Sequence, residues 1–203
     1  NLSKGVLSEV DKITDYKILK LSGGEIFLYN DIVNFVKSIS KNYTAIQLLT
    51  NGLALTAEKI DQLAELGNVY FQISLDGVSG ETNFARNGNN QVVEKIMENI
   101  GHILKKGMGL EINCVLTKYN TGLFERMLEY FKGSKNFVIM PRPVRGEPKN
   151  TLNFNKDQVN SFKKAVIDNY ETHSDILPPK QYLERLIYMM EKEHRNWNCY
   201  IPF

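Results

Sequence analysis

Five short runs of the chain are apolar, rich in β-branched or aromatic residues and bounded by turn-forming residues: Lys17–Leu21, Ala45–Leu49, Val69–Leu75, Leu110–Leu116 and Asn136–Met140. Runs of this length and composition predict buried strands. The intervening segments repeat their apolar residues at helical spacing. Ile32, Phe35, Val36 and Ile39 share one face, as do Ile60, Leu63 and Leu66. Val92, Ile96, Ile100, Ile103 and Leu104 make a third stripe, and Phe124, Met127, Leu128 and Phe131 a fourth. Such stripes are core-facing sides of amphipathic helices. A weaker helix is expected over Leu2–Ile13, and two more over Val159–Tyr170 and Gln181–His194.

Strands alternating with helices at this spacing define an α/β chain of parallel strands joined by crossover helices. A closed or partial barrel and an open doubly wound sheet both satisfy that pattern, and the placement of polar residues separates them. The first strand runs into Ser22-Gly23-Gly24-Glu25, the second into Thr50-Asn51-Gly52 and the third into Ser74-Leu75-Asp76-Gly77. The fourth carries Asn113 and Thr117, and the fifth runs into Arg142. Polar groups at the C-terminal end of every strand are the mark of a βα-barrel, whereas an open sheet gathers them at one switch point. The expected fold is a partial parallel (β/α)6 TIM-like barrel, here an open crescent of about five strands. Pro141–Asn155, rich in Pro, Gly, Arg and Asn, reads as a long functional loop.

Charge and cysteine usage narrow the function classes. Twenty-five basic against 23 acidic residues leave a formal charge of +2, which gives no footprint for nucleic acid. No apolar run approaches the roughly 18–20 residues of a membrane span. The two cysteines, Cys114 and Cys199, make no disulfide framework, so a reducing, cytoplasmic setting is expected. Cys114 lies mid-strand as a small core residue. His102, His173 and His194 have no metal-ligand spacing and are expected at the surface or at helix ends.

The strongest local signal is Leu21-Ser22-Gly23-Gly24-Glu25. Two glycines after a strand let a ligand approach the backbone, and the glutamate can receive charge-assisted hydrogen bonds from an ammonium group. Neither a Gly-x-Gly-x-x-Gly fingerprint nor a phosphate-binding loop of the Gly-Lys-Ser/Thr kind is present. In chain order there follow Leu49-Thr50-Asn51-Gly52, Gln72-Ile73-Ser74-Leu75-Asp76-Gly77, Ala85-Arg86-Asn87-Gly88, Ile112-Asn113-Cys114-Val115-Leu116-Thr117 and Met140-Pro141-Arg142-Pro143-Val144.

That series, in register over about residues 16–150, resembles the radical S-adenosylmethionine (SAM) superfamily, especially its SPASM and twitch subfamilies. The resemblance implies that Gly23, Gly24 and Glu25 hold the amino group of SAM. It implies Ser74 and Arg86 for the carboxylate, and Asp76 or Asn113 for the ribose or nearby polar atoms. Thr50 and Asn51 would line the same mouth, and backbone around Val115 and Met140 would flank the adenine. No residue is singled out as catalytic. The sequence departs from the family in Ile26, where proline is usual after Gly-Gly-Glu, and in Glu81-Thr82-Asn83-Phe84, where an acidic-x-His-Asp run is usual.

The third departure concerns the [4Fe–4S] cluster, which this family binds through Cys-x-x-x-Cys-x-x-Cys just after its first strand. No cysteine precedes Cys114. The expectation is a fragment whose cluster loop and first strand lie upstream of Asn1. Residues 1–155 then form the partial barrel, and 156–203 the helices leading toward an auxiliary-cluster domain, with Cys199 placed like its first iron–sulfur ligand. The implied reaction is reductive cleavage of SAM to a 5′-deoxyadenosyl radical that modifies a peptide or protein substrate. The electron would come from a donor such as flavodoxin or ferredoxin, and the fragment itself would be inactive. The alternatives are a sulfatase-maturing type of enzyme, or a cluster-free barrel that binds a small molecule or partner protein.

Overall fold

The computed structural model describes residues 18–144 and 149–192. Five strands, β1 Ile18–Leu21, β2 Ala45–Thr50, β3 Val69–Ser74, β4 Gly109–Leu116 and β5 Phe137–Pro143, form one sheet in the order β1-β2-β3-β4-β5. Every neighbouring pair is parallel. Among the described residues the sheet does not close: β1 and β5 are its two ends and are not paired with each other. The expected open crescent is therefore present, with β5 extended through Pro143.

The crossovers are α1 Ile32–Ile39 (after β1), α2 Ala57–Ala64 (after β2), α3 Asn90–Lys105 (after β3) and α4 Phe124–Phe131 (after β4). α5 Lys156–Lys163 and α6 Lys180–Lys192 follow β5. Each predicted stripe is buried, with small shifts. α3 turns Val93 and Asn99 inward and leaves Val92 and Leu104 half-buried. The helix expected over Val159–Tyr170 is broken into α5, a π-helical stretch Lys164–Asp168 and a short turn Tyr170–His173. The helix expected over Leu2–Ile13 lies outside the described residues.

Because side chains alternate across a strand, register alone sorts them into two sets. On the helix side, Ile46, Leu48, Phe71, Ile73, Ile112, Cys114, Leu116 and Ile139 are all fully buried. They pack against Val36 of α1, Ile60 and Leu63 of α2, Ile100 and Ile103 of α3, and Leu128 of α4 in one core. On the concave side the register aligns Lys20, Gln47, Tyr70 and Gly109 in one row. Leu49, Gln72, Glu111 and Val138 make the next. Above these come Ser74, Asn113 and Met140, then Val115 and Arg142 at the C-terminal ends.

α5 and α6 join the same core. Phe162 stacks edge-on against Phe124 of α4 with ring centroids 4.9 Å apart, and Leu183, Leu186 and Ile187 are buried. The outer edge of β5 is covered: Ile139 N–H donates to Ile176 C=O at 2.8 Å, and the Tyr182 hydroxyl donates to Pro141 C=O at 2.8 Å. Pro141 shares that outward side, so its missing N–H costs the β4–β5 ladder nothing. His102 sits at the surface against Asp61 at 2.7 Å. His173 lies at a helix end as expected, closing Tyr170–His173, but it is 2% exposed rather than at the surface, with its Nε2 3.2 Å from Glu129 of α4.

The helix-side layer carries the stability. Phe71→Ala should lower unfolding free energy by about 3–5 kcal/mol in urea denaturation, whereas Leu28→Ala, at a residue 73% exposed, should change it by less than about 0.5 kcal/mol.

Candidate functional site

Two hydrogen-bonded clusters shape the C-terminal rim of the crescent. The first is built on Glu25, in the turn after β1. Its Oε1 accepts from the Phe27 N–H at 3.1 Å and the Thr50 hydroxyl at 2.7 Å, and its Oε2 accepts from the Asn51 N–H at 2.7 Å. Thr50 Oγ1 in turn accepts from the Gly52 N–H at 3.0 Å, and Asn51 Oδ1 from the Leu53 N–H at 2.9 Å. Glu25 thus clamps the exit of β2 to the exit of β1. A carboxylate offers about four lone-pair sites, so one remains for a further donor. Gly52 turns at φ 81°, with Ile73 and Ile96 within 3.2 Å of where a Cβ would stand. Asn99 of α3 donates to its carbonyl at 2.9 Å.

Gly23 and Gly24 are exposed, and no protein atom lies within 4 Å of a Cβ built on either. Neither has positive φ. Nothing in the chain's own packing calls for glycine there; the pair leaves bare backbone facing open space.

The second cluster is built on Asp76, which is only 4% exposed. Its Oδ1 accepts from Arg86 Nη2 at 2.9 Å and from the Val115 N–H at 2.8 Å, tying the β3 exit to β4. Its own N–H donates to Asn83 Oδ1 at 2.8 Å, and its carbonyl accepts from Asn120 Nδ2 at 2.7 Å. Asn120 also donates to Val115 C=O at 2.8 Å and accepts from the Thr117 N–H at 2.7 Å. Gly77 is required beside it, since a Cβ would stand 2.1 Å from Thr82 Oγ1. Cys114 is fully buried under this cluster and its thiol points at the Asp76 carbonyl, 3.5 Å away. Burial pushes that thiol well up from its ordinary pKa, and the Asp76 charge adds to the effect.

Below the Asp76 cluster, Ser74, Asn113 and Met140 of β3, β4 and β5 stand side by side on the concave face, with Val115 one step further along β4. Asn113 Oδ1 is buried and has no hydrogen-bond partner. A polar atom in that state costs about 1–3 kcal/mol unless something supplies a donor.

The structure therefore brings Glu25, Thr50 and Asn51 together in one cluster, and Asp76, Arg86 and Val115 in another. Ser74, Asn113 and Met140 form a row across β3, β4 and β5. Thr50 belongs to the helix-side set by register, and its hydroxyl is spent on Glu25. Arg86 is held by Asp76, with its side chain 31% exposed. Cys199 lies outside the described residues. Asn83 and Asn120, 1% and 2% exposed, hold the Asp76 backbone without a role that the motifs assign; asparagine in the loop after a strand is the available signal, since such residues cap backbone groups. Gln47, Gln72 and Glu111, polar residues in the middle of otherwise apolar strands, are likewise given no role by the motifs.

A parallel βα crescent with a glycine-lined, polar mouth at its C-terminal rim is the architecture of a barrel-type small-molecule site. The sequence family described as the Radical SAM superfamily matches residues 5–131, more than half of the chain. This chain belongs to that superfamily. It is similar to the PqqA peptide cyclase of Rhizobium meliloti (strain 1021), 31% identical over 111 residues, which cover 55% of this chain and 30% of that protein. It is also similar to the GTP 3',8-cyclase of Aliarcobacter butzleri (strain RM4018), 28% identical over 194 residues, 91% of this chain and 58% of that protein. The chain thus spans less than two thirds of these relatives. Among solved structures, it superposes on Streptococcus suis SuiB bound to precursor peptide SuiA with a TM-score of 0.67 at 15% identity, covering 93% of this chain and 43% of that one. It superposes on native anSMEcpe with bound AdoMet and Kp18Cys peptide with a TM-score of 0.68 at 15% identity, covering 96% and 59%. At that identity the likeness is one of fold.

Asn120→Ala strips partners from two carbonyls and one N–H at once. It should cost roughly 2–4 kcal/mol by chemical denaturation; a loss under about 1 kcal/mol would show that the Asp76 cluster holds without it. Iodoacetamide at pH 8 should leave Cys114 unmodified in the folded chain and label it in urea, as read by site-resolved mass spectrometry.

Proposed function

We propose that the rim between the Glu25 and Asp76 clusters binds SAM, and that the parent enzyme uses it to modify a peptide or protein. The observation that carries the reading is Asn113 Oδ1, a buried acceptor with no partner, in a row with Ser74 and Met140. The residues fit the ligand. Gly23 and Gly24 offer bare backbone, and Glu25 keeps one free lone pair for the ammonium. Asn113 accepts from a ribose hydroxyl, a role the fully engaged Asp76 Oδ1 is less free to take. Ser74 and the outer donors of Arg86 serve the carboxylate. Val115 and Met140, half-buried, flank the adenine. When bound, SAM supplies hydrogen-abstracting radical chemistry; the residues of this chain orient it and keep water away.

The iron–sulfur cluster does not fit this chain alone. A cluster of the family's kind takes three thiolates, and the sequence holds two cysteines, one buried mid-strand against the Asp76 carbonyl. We infer that the thiolates come from elsewhere in the parent polypeptide, so that the 203 residues by themselves catalyse nothing. The same reading gives Cys199 to an auxiliary cluster of the SPASM or twitch kind, makes flavodoxin or ferredoxin the electron donor and places the enzyme in the reducing cytoplasm. Peptide relatives such as the PqqA peptide cyclase support a peptide substrate.

Calorimetry on the chain tests the mouth. Asn113→Leu should weaken SAM binding about five- to tenfold, the equivalent of one hydrogen bond, with the fold unchanged by circular dichroism; equal affinity removes Asn113 from the site. Anaerobic reconstitution of the parent open reading frame tests the chemistry: [4Fe–4S] absorbance with SAM cleavage supports the enzyme, and a colourless protein overturns it in favour of a cluster-free binder.

A further inference from the structure

The interior of a βα-barrel is ordinarily filled by layers of Val, Ile and Leu. The two rows beneath the proposed SAM mouth are more polar: Lys20, Gln47 and Tyr70 beside Gly109 in one, Gln72 and Glu111 between Leu49 and Val138 in the next. Arg142, from the topmost row, reaches down to them. Lys20 Nζ donates to Gln72 Oε1 at 2.8 Å, across β2. Gln47 Nε2 donates to Glu111 Oε2 at 3.3 Å, across β3. Arg142 Nη2 lies 3.6 Å from Glu111 Oε1. Burial, and secondly the Glu111 charge, raise the Tyr70 hydroxyl above its ordinary pKa, so its proton stays on and remains available for donation.

A polar layer of this kind is costly to build for packing alone, because buried polar groups gain only what their partners return. Here the return is partial. Glu111 is held by two long contacts rather than by the short bidentate fork that a guanidinium makes with a carboxylate. The accessible groups are the cations. Lys20 is exposed and the Arg142 side chain is 46% exposed, while the Glu111 side chain is recessed at 21%. Gln47 and Gln72 are 6% and 7% exposed, at the floor between them. With two cations to one anion, an entering group meets net positive charge first, over two amides able to donate and accept.

We propose that these six residues form a recognition layer for a carboxylate-bearing peptide segment, an Asp or Glu side chain with its flanking backbone amides. Arg142 exchanges its long contact with Glu111 for a fork on the substrate carboxylate, Lys20 adds a second cation, and the Gln47 and Gln72 amides bond to the peptide backbone. The layer lies directly below Ser74, Asn113 and Met140, so a side chain held there sits under the mouth. The assignment of substrate class rests on the reading of that mouth as the SAM site, but its test does not need SAM.

The test titrates the chain with N-acetyl-glutamate N-methylamide, N-acetyl-lysine N-methylamide and glutarate at fixed ionic strength, following the Gln47 and Gln72 side-chain amides and the Arg142 guanidinium by NMR. The glutamate derivative should bind saturably, at least fivefold tighter than either of the others, and shift all three groups. Arg142→Gln should weaken it at least tenfold. Glu111→Gln removes the internal competitor and should tighten it about threefold, a gain that a merely structural Glu111 would not give. Tighter binding of the lysine derivative, an unchanged affinity in Arg142→Gln, or shifts confined to Ser74 and Asn113 would overturn the proposal, and glutarate binding as tightly would overturn its peptide part. SAM binding measured on the same samples separates the readings: SAM without the glutamate derivative sinks the recognition layer alone, and the reverse sinks the mouth alone.

Discussion

Four parallel registers in unbroken sequence impose one constraint on everything else: a residue on one of the five strands faces either the helices or the hollow. A slip of one residue would exchange the two sets on the strand that slips. On β2 it would trade Ile46 and Leu48 for Gln47, on β3 Phe71 and Ile73 for Gln72, and on β4 Ile112 and Cys114 for Glu111 in the helix-side core. The polar residues thus specify register as firmly as the apolar ones. The same parity that packs the core lines up Ser74, Asn113 and Met140 from three different strands.

At the rim, where strands end and backbone groups lose their ladder partners, two carboxylates take over. Glu25 gathers donors from the β1 and β2 exits, and Asp76 gathers them from the β3 and β4 exits. Each satisfies backbone N–H groups that would otherwise be orphaned. Asp76 is buried beside Arg86, and Asn83 and Asn120 bond the backbone on either side of it. Both residues belong to the candidate ligand site, so the groups that shape the loops and the groups offered to a ligand are in part the same atoms.

The strands, their order and their parallel sense were legible because each run is short, apolar and followed by its own helix stripe. The residues proposed for the mouth stand out in the sequence because they sit at strand ends in a recurring order. Less visible were effects that depend on three-dimensional partners. Thr50 reads as a mouth residue, yet its hydroxyl is taken by Glu25, 25 positions away. His173 reads as a helix-end residue and is one, yet it is buried, and its contact with Glu129 of α4, 44 positions earlier, is not visible in the sequence. Glu111 and Arg142 are 31 positions apart and meet only because β4 and β5 are adjacent. Periodicity assigns a face, but it does not say which polar atoms on that face are already spent.

The outer edge of β5 has a consequence for how the sheet can grow. Pro141 and Pro143 project no donor on that side, and the Ile139 donor between Phe137 and Pro141 is already taken by the Ile176 carbonyl. β1, by contrast, contains no proline. Among the described residues the sheet is therefore a ladder blunted at one rail: the β5 edge keeps no free donor at Ile139, Pro141 or Pro143, whereas every residue of β1 carries its backbone donor.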